Sequence, residues 1–179
     1  MPKEFVIVVD EKDNQIGLME KMEAHEKGIL HRAFSAFVFD DNHELILQQR
    51  ALSKYHSPGL WTNTCCSHPR NKETAIEAGK RRLIEEMGFS CELNEVLSFI
   101  YKSDEVGQGL IEHELDHVLI GRYSGAIEVV AEEVAGYKSM KLEDIEKDIL
   151  LHPEIYTIWF RIIFKRFMEY VQETNFINR

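Results

Sequence analysis

The sequence has no long run of apolar residues and no excess of positive charge, and each absence excludes a class of protein. No apolar stretch approaches the ~18 residues that a membrane-spanning helix needs, and the N-terminus shows no signal-peptide cleavage pattern. The 31 acidic residues outnumber the 21 Lys and Arg residues and give a net charge of −10, which repels the phosphates of nucleic acid. We therefore expect neither a membrane nor a nucleic acid as a partner.

Cysteine and repetitive sequence are also scarce. The three cysteines are an odd number in a chain without a secretory signal, so we interpret them as reduced thiols of a cytoplasmic protein rather than as a disulfide framework. No repeat, low-complexity segment or linker-like tract interrupts the 179 residues, a length that fits one domain with a sizeable core. The sequence therefore predicts a single domain over residues 1–179.

Apolar and β-branched residues predict strands in the first third of the chain. Residues 5–9 and the segment after a polar turn at 10–15 predict an N-terminal hairpin. A second hairpin is expected from residues 33–39 and 44–50, which flank a turn-forming Asp-Asp-Asn-His. Between the hairpins, residues 18–29 are polar and predict irregular backbone or a short helix.

The second half of the chain predicts helices around further strands. A helix is expected over residues 73–87, ended by Gly88 at the position where a left-handed residue closes a helix. The same patterns predict strands at 95–101 and 117–123 joined through Glu-His-Glu-Leu-Asp, a short strand at 136–140, a helix at 142–151, and a final helix beginning around Pro153. This order predicts an α/β (α+β) fold: a mixed β-sheet sandwiched between α-helices, with the N-terminal hairpin as an extension.

A dense group of reactive side chains lies between Trp61 and Gly88. Cys65 and Cys66 are adjacent, so on an extended segment they face opposite sides, and one can line a cleft while the other packs in the core. His68 shares a face with Cys66 in that arrangement. A free cysteine is more often a small buried hydrophobe than a nucleophile, and the residues alone leave a catalytic thiol and a packing thiol both open.

Three histidines and two carboxylates are candidates for a metal site. Glu112 and Glu114 alternate on a strand-like segment and therefore address one point in space. The histidines of interest are His25, His31 and His68. Together these side chains offer the mixed nitrogen and oxygen ligands that suit Mn²⁺, Mg²⁺, Fe²⁺ or Zn²⁺, although spacing does not show that they converge. The alternatives are surface or packing histidines and an exposed acidic strand edge, which discourages aggregation.

Basic residues surround the cysteines in an otherwise acidic chain. They are Lys21, Arg50, Lys54, Arg70, Arg81 and Arg82. A local cluster of this kind, or bound divalent ions, can reverse the field inside a cleft, and Arg side chains suit phosphate oxygens. We therefore expect an anionic ligand, while ordinary surface charge paired with neighbouring glutamates stays an equal alternative for any single residue.

The helix resembles a known motif. Residues 67–88 resemble the Nudix box. That motif begins with a Gly and has a Glu six positions later. After seven further residues it ends with Arg-Glu-apolar-x-Glu-Glu-x-Gly. Two residues depart from it: Ser67 stands in place of the first Gly, and Arg82 in place of the first helical Glu. In Nudix hydrolases the glutamates of this helix hold Mg²⁺ for attack of water on a diphosphate. The resemblance, with Arg82 in that place, therefore implies diphosphate binding without hydrolysis.

Further segments resemble one branch of that superfamily, the type I isopentenyl-diphosphate Δ-isomerases. They follow the order of that family and span residues 21–159: Leu-His-Arg-Ala-Phe-Ser (30–35), Gln-Arg-Ala-Leu-Ser-Lys (49–54), Pro-Gly-Leu-Trp-Thr-Asn-Thr-Cys-Cys-Ser-His-Pro (58–69), Glu-His-Glu-Leu-Asp (112–116) and a late Ile-Trp-Phe. The Thr-Asn-Thr-Cys-Cys-Ser-His-Pro string is very specific. The resemblance implies a Nudix-like fold and an enzyme of isoprenoid biosynthesis that interconverts isopentenyl and dimethylallyl diphosphate.

The resemblance assigns a role to each matching position. Cys66 and Glu114, with Tyr101 beside the latter, match the proton-transfer groups. Positions that contact the diphosphate or close over the hydrocarbon are Lys21, Arg50, Lys54, Arg82 and Trp159. The metal-binding positions are His25, His31, His68, Glu112 and Glu114, with Glu86 for a second ion.

The resemblance also implies cofactors and partners. Mg²⁺ would bridge to the diphosphate, and Mn²⁺ or Mg²⁺, with Zn²⁺ as an alternative, would occupy the His/Glu site. The partner would be a small-molecule diphosphate substrate, and the chain a monomer or a homodimer. Two other classes stay open: a Nudix hydrolase of a nucleotide or other diphosphate, and a non-catalytic binding protein with the same fold.

Overall fold

The computed structural model describes residues 3–54, 56–104 and 107–174, which form a nine-stranded mixed sheet with four α-helices. In chain order the elements are β1 (Phe5–Val9), β2 (Gln15–Glu20), α1 (Lys21–Lys27), β3 (His31–Phe39), β4 (Leu45–Arg50), β5 (Trp61–Thr62), β6 (Cys65–Ser67), α2 (Ala75–Met87), β7 (Leu93–Ser103), β8 (Glu112–Arg122), β9 (Val134–Met140), α3 (Leu142–Leu151) and α4 (Ile158–Thr174). The predicted α/β class is confirmed, whereas a single domain over the whole chain stays a prediction.

The N-terminal hairpin is confirmed. β1 pairs antiparallel with β2, from Phe5↔Glu20 to Val8↔Gly17. Residues 6–9 of β1 are buried, whereas Phe5 and most of β2 are exposed or half-buried. The strand pair Val8↔His31 joins the hairpin to the first residue of β3, so the hairpin extends the sheet from that end of β3. The polar stretch 18–29 contains the short helix α1, as one of the two predicted alternatives, but residues 18–20 belong to β2.

The centre of the sheet is β3, whose residues are almost all buried. It runs parallel to β8 over its full length, from His31↔Glu114 to Phe39↔Arg122, and β8 pairs antiparallel with β7. The Glu-His-Glu-Leu-Asp segment therefore belongs to β8, and its prediction as the connection between two strands is wrong. Charged residues are rare inside buried strands, which is why the pattern indicated a connection.

The second hairpin forms only at its turn. β3 and β4 pair at Phe39↔Leu45 and then separate, and β4 pairs instead with β9 and β5. The segment that carries the cysteines fills the gap, because β5 pairs with β4 while β6 pairs with β3 from Phe34↔Ser67 to Ala36↔Cys65. The split between β3 and β4 thus creates the place where the reactive side chains lie.

Helix α2 begins two residues later than predicted and ends where predicted. Thr74 caps it: its hydroxyl accepts a hydrogen bond from the Glu77 N–H, and the Glu77 carboxylate accepts one from the Thr74 N–H. This reciprocal pair satisfies free donors of the first turn. Gly88 ends the helix with φ 72°, and a Cβ there would lie 2.1 Å from the carbonyl oxygen of Glu128, so a side chain would collide with the backbone.

The C-terminal helix begins later than predicted, and the expected start at Pro153 is wrong. Pro153 opens a short 3₁₀ turn, after which the backbone is extended. Tyr156 pairs with Trp61, and the Thr157 N–H donates to the carbonyl of Trp61 at 2.9 Å. These backbone bonds to β5 interrupt the helix, so α4 begins at Ile158.

Helices cover both faces of the sheet, as predicted. Phe37 of β3 packs with Phe160 in the cluster beneath α3 and α4, whereas Phe34, on the opposite face, packs with Leu83 beneath α2. The alternation of side chains along β3 thus divides the core in two. In the described part of the chain, the helices lack the length and apolar composition that a membrane span requires.

Candidate active site

A cleft opens where β3 and β4 separate, and charged, polar and aromatic side chains line it together. Twelve of the thirteen predicted site residues line it: Lys21, His25, Arg50, Lys54, Cys66, His68, Arg82, Glu86, Tyr101, Glu112, Glu114 and Trp159. The thirteenth, His31, is fully buried in contact with His68. The fold therefore gathers residues that lie far apart in the sequence around one space.

Three imidazoles and one carboxylate converge at one end of the cleft. Ligand atoms of His25, His31, His68 and Glu114 all lie within 4.8 Å of one another. They come from four parts of the fold. His25 lies on α1 and Glu114 on β8, while His31 is the first residue of β3 and His68 follows β6. The parallel register places Glu114 directly beside His31. The convergence that spacing alone did not show is thus present.

Backbone carbonyls orient two of the imidazoles. Nδ1 of His25 lies 2.7 Å from the carbonyl oxygen of Lys21, and Nδ1 of His31 lies 2.7 Å from that of Ile29. A ring that donates from Nδ1 presents the lone pair of its Nε2 to the cluster. Nitrogen and carboxylate donors held in this way fit a divalent metal ion.

The ionisation of the cluster matches metal binding. Burial lowers the pKa of His68 to about 3, despite its hydrogen bond with Glu114, so the imidazole is neutral. Burial would raise the pKa of Glu114, but its close contacts with His31 and His68 outweigh burial and hold that pKa well below its usual range. Burial would lower the pKa of His25, but the hydrogen bond and charge of Glu112 raise it. An ionised carboxylate and a neutral imidazole, the states of Glu114 and His68, are the forms that bind a metal.

Glu112 lies at the edge of this cluster. Its Oε2 atom is 3.3 Å from Nε2 of His25, and the residue is buried. Burial, together with the nearby charge of Glu114, raises the pKa of Glu112. The structure thus places Glu112 in contact with one predicted metal ligand but outside the group of four.

The two adjacent cysteines separate as extended geometry predicts. Cys65 is fully buried in the core beneath α2, whereas Cys66 lines the cleft. The pairing of Cys66 with Ser35 on β3 fixes its position. Burial, followed by the negative charge of Glu86, raises the pKa of Cys66 to about 12, so the group is a protonated thiol at neutral pH.

Tyr101 holds the carboxylate of Glu114 from the other side. Its hydroxyl donates to Oε2 of Glu114 at 2.6 Å, and the two residues face each other in the β7–β8 register. The second oxygen, Oε1, lies 2.9 Å from Nε2 of His68 and 3.6 Å from Nε2 of His31. Burial raises the pKa of Tyr101 well above its usual value. Glu114 therefore directs one oxygen to the imidazoles and the other to a protonated hydroxyl.

The other end of the cleft is a network of cations and carboxylates. Arg82 donates to Glu85 at 2.7 Å and to Glu86 at 2.5 Å. It also contacts Glu133 at 3.1 Å, and Lys54 reaches the same oxygen of Glu133 at 2.5 Å. Burial would lower the pKa of Arg82, but the negative charge of Glu86 and the other carboxylates raises it. Every cation in this network therefore has a protein carboxylate as its partner.

Arg50 and Trp159 lie against each other at the cleft. The guanidinium carbon is 5.1 Å from the centre of the indole ring, within the range of a cation–π contact. The indole N–H donates to the hydroxyl of Thr62 at 3.2 Å, which fixes the ring. Lys21, at the start of α1, is paired with Glu4 at 3.1 Å.

Comparison with known proteins places this site in a family. Residues 29–160 match the family described as NUDIX domain. A protein of Aromatoleum aromaticum named isopentenyl-diphosphate Delta-isomerase 2 is 50% identical over 154 residues, which cover 86% of this chain and 81% of that protein. The isopentenyl-diphosphate Delta-isomerase of Pectobacterium atrosepticum is 44% identical and matches 96% of each chain. The chain belongs to the isopentenyl-diphosphate Δ-isomerase family.

Solved structures agree with the fold of this isomerase family. A crystal structure of a Deinococcus radiodurans protein matches with a TM-score of 0.74 and 18% identity, over 91% of this chain and 98% of the other. A MutT protein from Methanosarcina mazei matches with a TM-score of 0.63 and 18% identity, over 78% and 94% of the two chains. Likeness at this identity concerns the fold alone, and it confirms the predicted Nudix-like architecture.

The departure from the Nudix box is visible in this isomerase. Arg82 occupies the place of a box glutamate, lines the cleft, and contacts both Glu85 and Glu86 on the same helix. Residues three and four positions apart on a helix are neighbours, so a single Arg reaches both. The helix consequently presents a guanidinium to the cleft where the box has a carboxylate.

Sequence reasoning misses several residues around the isomerase cleft. They are Ser35, Gln48, His56, Asp116 and Glu133. Gln48 donates to Glu86 at 2.7 Å, and buried Asp116 accepts from Ser35 at 3.2 Å. Gln48 stands one position before a family segment and Asp116 ends another, so both segments offered a signal. Glu133 lies in an acidic turn with no motif, and no local signal could have found it.

Proposed function

We propose that the chain interconverts isopentenyl diphosphate and dimethylallyl diphosphate in isoprenoid biosynthesis, with Cys66 and Glu114 as the proton-transfer groups. The observation that carries this proposal is that a protonated thiol and an ionised carboxylate line one cleft. They come from β6 and β8, the strands on either side of β3. Neighbouring strands lie about 4.8 Å apart, so β6 and β8 are about 10 Å apart across β3. Cys66 and Glu114 are also offset along β3, because Cys66 pairs with Ser35 and Glu114 with His31.

The reaction needs one proton to enter and one to leave. When a proton adds to the terminal CH₂ carbon of isopentenyl diphosphate, the π electrons form the new C–H bond and the tertiary carbon becomes positive. Loss of a proton from the neighbouring CH₂ group returns its C–H electrons as the new double bond. Cys66 and Glu114 together carry one transferable proton, on the thiol, and they exchange roles in the reverse reaction.

The surroundings of Glu114 suit this transfer. A divalent ion bound by the three histidines and Glu114 would withdraw electron density from the carboxylate. Its protonated form would become a stronger acid, which favours the direction in which Glu114 donates, while the anion would become a weaker base. Tyr101 fixes the oxygen Oε2 on the opposite side. Trp159, which is 5% exposed and lines the cleft, would cover the hydrocarbon, and its indole face would stabilise the positive carbon by about 1–2 kcal/mol.

The cationic end would hold the diphosphate as a handle remote from the reacting carbons. Arg50, Lys54 and Arg82 line this end, and Lys21 enters from α1. We propose Glu86 as the ligand of a Mg²⁺ ion bridged to the diphosphate, and Mn²⁺, Mg²⁺ or Zn²⁺ for the His/Glu site. Both oxygens of Glu86 accept hydrogen bonds from Arg82 or Gln48, so Glu86 would exchange a partner when Mg²⁺ binds.

The proposed chemistry also favours a reducing compartment. Cys66 must remain a thiol to carry a proton, and Cys65, Cys66 and Cys91 are all free cysteines. Reduced thiols are maintained in the cytosol, and we propose that the chain acts in the cytoplasm on a small-molecule diphosphate. A monomer or a homodimer stays a prediction.

An isomerisation assay on protein stripped of metal and reloaded with Mg²⁺, Mn²⁺ or Zn²⁺ tests the proposal. We expect conversion of isopentenyl to dimethylallyl diphosphate only after reloading. In D₂O the new methyl group should acquire deuterium, because its proton comes from an exchangeable side chain. A folded protein that isomerises nothing with any of these ions would refute the proposal. Release of phosphate from a nucleotide panel would indicate a Nudix hydrolase instead.

A further inference from the structure

Charged side chains around the cleft balance one another before a substrate arrives. Among the described residues, the cations that line it are Lys21, Arg50, Lys54 and Arg82, and the carboxylates are Glu86, Glu112, Glu114 and Glu133. Four positive groups therefore face four negative ones. A diphosphate adds further negative charge to a space whose lining side chains hold no excess of cations.

Glu133 is the carboxylate that neutralises the cations of the diphosphate end. Its Oε2 atom accepts from Lys54 at 2.5 Å and from Arg82 at 3.1 Å. Burial would raise the pKa of Glu133, but the hydrogen bond and charge of Lys54 outweigh it and lower that pKa. Two of the cations expected to hold the diphosphate are thus already bound to an anion of the protein itself.

The backbone around Glu133 fixes this residue in place. Its carbonyl accepts from the N–H of Ala51 at 3.0 Å, and its N–H donates to the carbonyl of Val130 at 2.9 Å. The N–H of Val130 donates in turn to the carbonyl of Glu86 at 2.9 Å. These bonds tie the turn before β9 to the loop that carries Lys54 and to helix α2, so Glu133 stays close to any anion that enters.

We propose that Glu133 determines specificity at the diphosphate end by disfavouring anions that arrive without a divalent cation. A bare anion must take Lys54 and Arg82 from Glu133 and then faces the released carboxylate at close range, and such like-charge contact disfavours a partner. A diphosphate that chelates Mg²⁺ brings positive charge to the same carboxylate, which then favours its binding. This inference rests on the proposed function in taking a diphosphate as the group bound here.

Binding of inorganic pyrophosphate measures this selectivity without turnover. Protein loaded with Mn²⁺ at the His/Glu site, and freed of excess ions by gel filtration, is titrated calorimetrically with pyrophosphate in the presence and absence of free Mg²⁺. We expect Mg²⁺ to tighten binding to the wild-type protein. In Glu133→Gln, metal-free pyrophosphate should bind about tenfold more tightly than in the wild type, so the effect of Mg²⁺ should shrink.

Matched variants separate selectivity from structure, and thermal melting checks the fold of each. Glu133→Asp keeps the charge and should keep the wild-type ratio of the two dissociation constants. Glu132→Gln removes the same charge from the exposed neighbouring residue and should also keep that ratio. If Glu133→Gln does not fold, Glu133→Ala removes the same carboxylate, and the same ratio decides.

Two outcomes overturn the inference. One is a ratio in Glu133→Gln equal to that of the wild type. The other is weaker pyrophosphate binding by the same factor with and without Mg²⁺, which indicates a positioning role alone. Both outcomes are independent of turnover: a wild-type protein that fails to isomerise refutes the proposed function and leaves the pyrophosphate ratios interpretable.

Discussion

At one end of the cleft, backbone carbonyls and strand register hold three imidazoles and Glu114, whereas at the other end side chains of opposite charge hold one another. His25 and His31 each direct Nδ1 to a nearby carbonyl at 2.7 Å. Lys54 and Arg82 instead share one carboxylate oxygen of Glu133. The first arrangement persists whatever enters the cleft. The second must exchange partners when an anion arrives.

Because of this difference, the two ends should respond differently to pH and to salt concentration. The metal end is buried, so salt screens it weakly, and its ligands bind metal only while the imidazoles are unprotonated. The side chains of Lys54 and Glu133 are 22% and 28% exposed, so salt reaches this end more readily than the metal end and screens an approaching anion there. We therefore expect metal affinity to follow pH, and diphosphate affinity to follow salt concentration.

The largest effect should come from Cys66, which belongs to neither end. Cys66→Ala should lower kcat by roughly 10²–10⁴-fold, the contribution of a positioned proton-transfer group. Metal content and pyrophosphate affinity should stay at wild-type values, so turnover is separated from binding at both ends. Cys65→Ala, a matched change in the core one residue away, should keep kcat and lower the melting temperature. Wild-type turnover by Cys66→Ala would remove Cys66 from the mechanism.

The next largest effect should come from Glu112→Gln, which weakens metal binding. The negative charge 3.3 Å from Nε2 of His25 disappears, and loss of such a neighbour of a metal ligand weakens metal binding about 10–100-fold. Competition with a chelator measures the affinity. Glu95→Gln removes a carboxylate paired with His117 at 2.8 Å, outside the cleft, and is the control. Unchanged metal affinity in Glu112→Gln would show that Glu112 has no part in this end.

The cationic end is tested by Lys54→Ala. Loss of a charge-assisted hydrogen bond to the diphosphate should raise KM about tenfold or more, while kcat and metal content change little. The rise in KM with added salt should also become shallower than in the wild type. Lys80→Ala removes an exposed Lys paired with Glu92 at 2.8 Å and serves as the control. A wild-type KM in Lys54→Ala would contradict the role of this end.

The smallest effect should come from His56, through the pH dependence of the unfolding free energy. It tests whether an imidazole outside the metal end also stays neutral in the folded protein. Burial, followed by the positive charge of Arg50, lowers the pKa of His56 to about 3. The unfolded chain takes up this proton near pH 6.5, at about the ordinary pKa of histidine, so stability is lost as pH falls from there toward 3. His56→Gln should flatten the fall in unfolding free energy between pH 6.5 and 5 by about 1 kcal/mol per pH unit.

Urea unfolding at several pH values measures that slope. Exposed His152 provides the matched control, since His152→Gln removes an imidazole from outside the cleft. A slope in His56→Gln equal to that of the wild type would mean that this imidazole does not stay neutral in the folded protein.

Much of the fold could be predicted because its signals are local. The N-terminal hairpin, helix α3 and the end of α2 at Gly88 follow from periodicity and from a residue suited to a left-handed turn. The start of α4 could not, because backbone bonds between Thr157 and Trp61, 96 residues earlier, override the preference of Pro153 for a first helical turn.

The site residues also divide into those with a local sequence signal and those fixed by long-range contacts. Family segments pointed to Cys66, His68 and Glu114, and the structure brings all three to the cleft. Glu133 was missed because its partner Arg82 lies 51 residues away and no short motif records a pairing across that distance. Local patterns thus find side chains that the chemistry needs, while tertiary packing decides which other groups neutralise them.

From the parallel pairing of β3 with β8, we expect assembly of the metal end to be a late event in folding. It joins His31 to Glu114, 83 residues farther along the chain, and contacts of such separation require closure of a long loop before they form. Ligands from α1, β3, the end of β6 and β8 meet only once that loop is closed, so we expect an ion bound there to stabilise the native state more than the transition state for folding. Such an ion should slow unfolding and leave the folding rate nearly unchanged. The lifetime of the folded enzyme, more than the speed at which it forms, should therefore depend on the ion.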